Sequence, residues 1–431
     1  MQILDHDRLN VRYGSGHQDL YPMSTASQTR REFLAKLAAA AAGVGLSSHF
    51  PYAVSGRSSS IPAIRPPAFA DLHAHPLLND WIRSSALGRR MPAAASFAAS
   101  VFNKTKVDFR SSHRAGIDLI CVAHFNVFDE WASMPTDPNP HAPVNTFRMM
   151  DLLEEAACGE DSDVVRVARN RLELGEILSI PKDSPEFRVA ALHAVEGGHA
   201  LGGSLRPLDE LARRGCAMIT ITHFFNKGIA ASANAYPFFP DAYGDWPSQG
   251  LSSFGCAVIK ETESRGIIVD VTHATSTAIA DILKAASKPV VASHISARAL
   301  GEHPYSLVDE HIEEIARRGG LIGVVIMPYW LSNFSNHALA VKHGGLRDVV
   351  RTVEHVVKIT GSADHVAIGS DFGGYIIGPS DMNRLDQIGV LRRMLLQEFS
   401  IDEVNQIMAG NTIRFILDNW QSGLNGAASC I

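Results

Sequence analysis

The feature that most constrains this chain is a rhythm of strand and helix. After residue 66 come eight short apolar runs rich in strand-forming residues. The first four are "FADLHAH" (69–75), "GIDLICVAHFNV" (116–127), "FRVAALHAVEGG" (187–198) and "CAMITITHFF" (216–225). The last four are "GIIVDVTHA" (266–274), "PVVASHIS" (289–296), "GGLIGVVIMP" (319–328) and "HVAIGSDFGG" (365–374). Helical patterns such as "SLRPLDELARRG", "STAIADILKAAS", "LVDEHIEEIARRG" and "LRDVVRTVEHVVKITG" lie between them. Several close on glycine, the residue that most readily stops a helix. Continuously apolar strands separated by helices predict a parallel sheet covered on both faces. Eight such units over about 300 residues fit an α/β fold, the (β/α)8 TIM barrel. An open doubly wound sheet is the alternative, but the Gly-rich phosphate turn expected after its first strand is absent. The segment 128–186 is too long for a plain connection. It predicts extra helices between strands 2 and 3, in "VNTFRMMDLLEEAACG" and "VVRVARNRLELGEIL".

Three segments follow from this reading: an N-terminal extension over 1–57, a barrel over 66–420 and a tail over 421–431. The extension holds "TRREFLAKLAAAAAGVGL" (29–46), where Arg30-Arg31 precedes a mild, Ala-rich apolar stretch. This resembles a bacterial twin-arginine signal, which hands a folded protein to the Tat export machinery and implies a periplasmic or extracellular location. The apolar run falls short of the ~20 residues that span a bilayer. "AVS" (53–55) offers small residues for a peptidase, and either Met1 or Met23 is the start. An ordinary amphipathic helix is the competing reading.

Composition narrows the classes further. The net charge is −6 without long like-charge runs, so no nucleic-acid surface is expected. The five cysteines (121, 158, 216, 256 and 430) form no CxxC pair, and buried free thiols are expected. The 19 histidines raise the prospect of a metal site without locating it.

Position locates it. His73 and His75 close the first run, Glu196 the third, His223 the fourth, His273 the fifth, His294 the sixth and Asp371 the eighth. The C-terminal ends of barrel strands are where active sites are built. Any one of these side chains could be a satisfied core or turn residue. Seven at matching strand ends are hard to assign to chance. Imidazole and carboxylate suit a divalent ion such as zinc, and a shared carboxylate can bridge two ions. His124 and His193 read as structural or supporting. "NAYPFFPDAYGDWPSQG" (234–250) reads as a loop over the barrel mouth, and Tyr329 or Trp330 could add to the pocket wall.

The ordered motifs "VEGGHALGGSLRPLDELARRGCAMITITHFFN", "SQGLSSFGCAVIKETESRGIIVDVTHAT", "PVVASHISA", "HVAIGSDFGG" and "MAGNTIRFI" resemble the renal (membrane) dipeptidase family, peptidase family M19 of the metal-dependent amidohydrolases. The resemblance implies two zinc ions per chain bridged by Glu196. His73, with His75, would hold the first ion, and His273 and His294 the second. It gives His223 contact with the substrate carbonyl and makes Asp371 the proton shuttle for a hydroxide held between the ions. A homodimer follows by the same resemblance.

Three departures stand out. The family has His-x-Asp where this chain has His73 and His75. The family's carboxylate-gripping arginine falls at Tyr305, with Arg298 the nearest arginine and His303 the nearest other cation candidate. Gly373 replaces a second aspartate. The leading expectation is an exported hydrolase of dipeptides or N-acyl amino acids, with Arg298, Tyr305 and His223 as substrate contacts. The alternatives are an amidohydrolase of another amide, lactam or lactone, and a non-catalytic metal-binding protein.

Overall fold

The computed structural model describes residues 61–422, apart from 94, 97–103, 133–136, 234–248, 334–338 and 340–341. The twin-arginine segment and nearly all of the loop at 234–250 therefore lie outside the described residues. Nine strands are β1 (Ala70–Ala74), β2 (Leu119–His124), β3 (Val165–Val167), β4 (Val189–Glu196), β5 (Cys216–Thr220), β6 (Ile268–Asp270), β7 (Val291–Ile295), β8 (Leu321–Val324) and β9 (Val366–Ile368). Eight of them run in the order β1-β2-β4-β5-β6-β7-β8-β9, and β3 pairs on β4 outside that path. Every ladder between them is parallel. Just beyond β9, a parallel bridge between Ala74 and Phe372 closes the seam. The fold is a TIM barrel.

The insertion between the second and third barrel strands carries helices Val127–Ala132, Ala142–Cys158 and Arg171–Ser179. Its second half departs from expectation. "VVRVARNRLELGEIL" is not one helix, because Val165–Val167 is a strand paired with Val189–Ala191. Three β-branched or long residues with alternating burial can add to a sheet edge as readily as start a helix. The helix then begins after Asn170, whose side chain accepts the N–H groups of Leu172 and Glu173, each at 3.0 Å. Elsewhere the helix starts obey local chemistry. Ser252 and Thr275 accept the N–H groups of Gly255 and Ala278 at 2.9 and 3.1 Å, caps worth about 1 kcal/mol each.

Strand alternation decides what faces the barrel interior. In β4, Ala190, Leu192 and Ala194 pack in one cluster, and Val189, Ala191 and Val195 in another. Glu196 shares the first face. His193 shares the second, where it meets His124 at 2.8 Å and Glu154 at 3.2 Å. The barrel's ends are docked: Arg65 pairs with Asp118 at 2.6 Å, and Ser422 donates to the Cys216 carbonyl at 2.6 Å. Cys121, Cys216 and Cys256 are free thiols, but Cys158 is disulfide-bonded, which corrects the expectation of free cysteines throughout. Among the described residues, no helix is long and apolar enough to cross a membrane.

Candidate metal centre

Six strand ends deliver seven buried side chains to one point. His73, His75, Glu196, His223, His273, His294 and Asp371 are each at most 4 % exposed. The seam does part of the positioning. Asp371 N–H donates to the His73 carbonyl at 2.9 Å and His75 N–H to the Phe372 carbonyl at 2.8 Å, which brings Asp371 Oδ1 to 3.1 Å from His75 Nε2. Asp371 and His273 hold φ of 58° and 69°, a left-handed conformation that costs a non-glycine residue on the order of 1 kcal/mol or more. Both strained residues point functional groups into the ring.

Glu196 is the hub. Its Oε1 lies 2.9 Å from His273 Nε2, 3.3 Å from His73 Nε2, 3.5 Å from His294 Nε2 and 3.7 Å from His223 Nε2. Its Oε2 lies 3.5 Å from His75 Nε2. The imidazoles also face one another, His73 to His75 at 3.2 Å and His294 to His273 at 3.0 Å, all through Nε2. One carboxylate oxygen has too few lone pairs for four donors. Nitrogens converging on each other and on a shared carboxylate form a cage for cations, and the donor set suits a divalent ion such as zinc. Three triads lie within ligand distance: His73, Glu196 and His294; His73, His75 and Asp371; Glu196, His223 and His273. They do not divide into the two sets that the family resemblance implies, since His294 groups with His73 and His223 with His273.

Electrostatics carry the same demand for positive charge. Burial pulls the His73 imidazole down, but Glu196, Asp371 and Asp270 outweigh it and push it up to about 9. Burial alone would raise the Glu196 carboxyl, yet His223, His73 and His75 hold it well below the usual carboxylate range. Burial lowers His273 and His294, aided by their imidazole neighbours. A cavity that protonates one histidine to balance its carboxylates is one that a metal cation can balance instead.

Sequence reasoning missed the layer behind the ring. Asp270, the last residue of β6, accepts Thr220 Oγ1 at 2.7 Å and Ser293 Oγ at 2.6 Å. Ser293 Oγ in turn meets His294 Nδ1 at 2.9 Å, so the Nε2 of His294 faces the cage. Glu130, in the helix after β2, is fully buried. It accepts His223 Nδ1–H at 2.9 Å and Phe225 N–H at 3.0 Å. Burial alone would raise its carboxyl, but His223 and His199 outweigh that and lower it. In return, Glu196 and Glu130 outweigh burial at His223 and raise it.

The predicted substrate contacts separate. His223 is in the ring. Arg298 is not brought to it, because its guanidinium donates to the Pro304 and Ser306 carbonyls of its own loop, both at 3.0 Å. His303 accepts the Tyr305 N–H at 3.3 Å. Tyr305 does flank the ring, 5.1 Å from the His273 ring and stacked on Trp330 at 4.2 Å, with its hydroxyl donating to the His294 carbonyl. Gly373 has φ of 80°, and a Cβ there would lie 2.5 Å from the His75 carbonyl oxygen. The missing second aspartate thus has a steric reason in this barrel.

With this geometry in place, comparison with known proteins is decisive for the family. The profile of the membrane dipeptidases, peptidase family M19, matches residues 145–422. The chain belongs to that family. The match takes in Glu196, His223, His273, His294 and Asp371 but begins after His73 and His75, where the sequence departs from the family pattern. A dipeptidase from Claviceps purpurea (strain 20.1), tcpJ, is 29% identical over 290 residues, 65% of this chain and 61% of that protein. The match thus spans about three fifths of that relative's length. Two solved structures share the fold with TM-scores of 0.62 each. The probable dipeptidase PvdM from Pseudomonas aeruginosa is 22% identical, over 74% of this chain and 89% of that one. A metallo peptidase from Rhodobacter sphaeroides, liganded with a phosphinate mimic of the dipeptide L-Ala-D-Ala, is 17% identical, over 83% and 100%.

Proposed function

We propose that this chain is an exported, zinc-dependent hydrolase of amide bonds, of dipeptidase type, with two ions bridged by Glu196. The observation that carries the reading is the convergence of five imidazoles on the Glu196 carboxylate with Asp371 beside His75. The names of the relatives support the choice of an amide substrate. By the family resemblance His73 and His75 would hold one ion and His273 and His294 the other, although the side chains group here as His73 with His294 and His223 with His273 around Glu196. Divalent ions there supply Lewis acidity toward a carbonyl oxygen and toward water.

The remaining chemistry belongs to the chain. Glu196 and Glu130 outweigh burial at His223 and raise it, which favours a proton on Nε2 as well as on Nδ1. Nδ1–H is spent on Glu130, so Nε2–H is free to donate to a carbonyl oxygen as negative charge develops on it. Asp371 has a carboxylate oxygen at the cage edge and a strained backbone that fixes its direction. It takes a proton from the attacking water and returns it to the leaving nitrogen. Export is supported by Arg30-Arg31 ahead of the apolar run and by the disulfide at Cys158, a bond that persists in oxidising compartments.

The test is Asp371→Asn. Turnover of a dipeptide should fall by at least about 100-fold, the scale of a lost general acid–base, while the bound metal stays the same. Full activity in the variant would overturn the proton-shuttle role.

A further inference from the structure

Five aromatic rings form a continuous arc along one side of the ring of ligands. Trp131 meets Phe224 at 5.3 Å, Phe224 meets Tyr375 at 5.4 Å, Tyr375 meets Trp330 at 6.3 Å and Trp330 stacks on Tyr305 at 4.2 Å. The arc is anchored on the site at Phe224 and at Tyr305. The Phe224 ring lies 4.4 Å from the His223 ring and the Tyr305 ring 5.1 Å from the His273 ring. The Tyr305 hydroxyl is spent on the His294 carbonyl, so its polar tip is committed within the protein.

A carboxylate placed against this arc would find aromatic faces, which carry negative charge. Among the described residues, the cation candidates at the arc serve other partners, and His303, 5.9 Å from the Trp330 ring, accepts the Tyr305 N–H on Nδ1, which leaves that nitrogen unprotonated. Arg298 donates to two carbonyls of its loop. Lys227 has the carboxylates of Glu130, Asp137 and Asp129 around it and is pushed down to about 8, chiefly by burial. Within 61–422 the undescribed segments add no lysine or arginine.

We propose that the site selects amides in which the group beyond the scissile bond is uncharged and aromatic or apolar, and discriminates against a free carboxylate there. This rests on the amide-hydrolase reading and names its substrate class. An apolar flank gains contact with the arc, whereas a carboxylate loses hydration without a paired cation.

The matched pair Gly-L-Phe and Gly-L-Phe-NH2, which differ only in that terminal group, tests it on the zinc-loaded full chain. The carboxamide should show kcat/KM at least about tenfold higher, the ratio that ~1.4 kcal/mol of differential binding supplies. Gly-Gly-NH2 should be cleaved less well than Gly-L-Phe-NH2. Trp330→Ala should erase the Phe-over-Gly preference and Trp330→Phe should keep it. Gly-L-Phe cleaved as fast as its amide would overturn the proposal while leaving the amide-hydrolase reading intact. Equal rates for the Phe and Gly amides would overturn the aromatic preference. No cleavage of any of the three by metal-replete protein would overturn the amide-hydrolase reading, and this proposal with it.

Discussion

Glu130 touches no substrate in the proposed reaction, yet its charge should be felt in the rate. It is buried among groups that leave it little freedom, with His223 Nδ1 at 2.9 Å, Phe225 N at 3.0 Å and His199 Nδ1 at 3.8 Å. Glu130→Gln keeps the shape and an acceptor for Phe225 but removes the negative charge facing His223. A hydrogen bond to a charged partner contributes about 1.5–3 kcal/mol. Losing it should lower the His223 pKa by roughly 1–2 units, at 1.36 kcal/mol per unit. In the proposed reaction the doubly protonated imidazole is the working form, so the alkaline limb of the kcat profile should move to lower pH. At a pH above the wild-type limb, kcat should drop by about 10- to 100-fold, the factor that a shift of 1–2 units gives. KM should change little, because the contact strengthens mainly in the transition state. The assay is kcat and KM against pH for both proteins, with metal content measured alongside. An alkaline limb at the wild-type position, with a folded and metal-replete variant, would refute the assignment of Glu130 as the residue that keeps His223 charged.

Two further substitutions probe the departures from the family pattern. His75→Asp places a third carboxylate near Glu196 and Asp371, now 3.5 and 3.1 Å from His75 Nε2. The metal-free variant should melt below wild type, and added Zn2+ should raise its Tm by more than it raises the wild type's; an equal gain would contradict the like-charge argument. Gly373→Asp forces a Cβ to 2.5 Å from the His75 carbonyl oxygen at a φ of 80°. It should cost about 2–3 kcal/mol, lowering Tm by ~4 °C or more, and an unchanged Tm would show that the seam can relax.

The barrel and the ring were legible because both rest on position. Strand ends are marked in sequence by where an apolar run gives way to polar residues, and His223, His273 and Asp371 sit within a few residues of that point. The strip Val165–Val167 was not legible, since three residues cannot display a period. Asp270 and Glu130 were missed for a different reason. Their partners, Ser293 and His223, lie 23 and 93 residues away, and nothing local distinguishes Glu130 from the acidic residues common in a helix's first turn. An aspartate inside "IIVDV" was the one available signal for Asp270, because a charge in a buried strand needs partners. Arg298 shows the opposite error. Counting along the chain placed a cation near the site, but the loop used that guanidinium to satisfy its own carbonyls, and no sequence spacing reveals which way a long side chain turns.

Amide hydrolysis by this cage should depend on bound metal. Protein stripped by a chelator and titrated with Zn2+ should regain turnover of a dipeptide or dipeptide amide in proportion to added ion, with a plateau near two equivalents per chain, as the proposed pair of ions requires. Undiminished hydrolysis by protein from which all metal has been removed would contradict it.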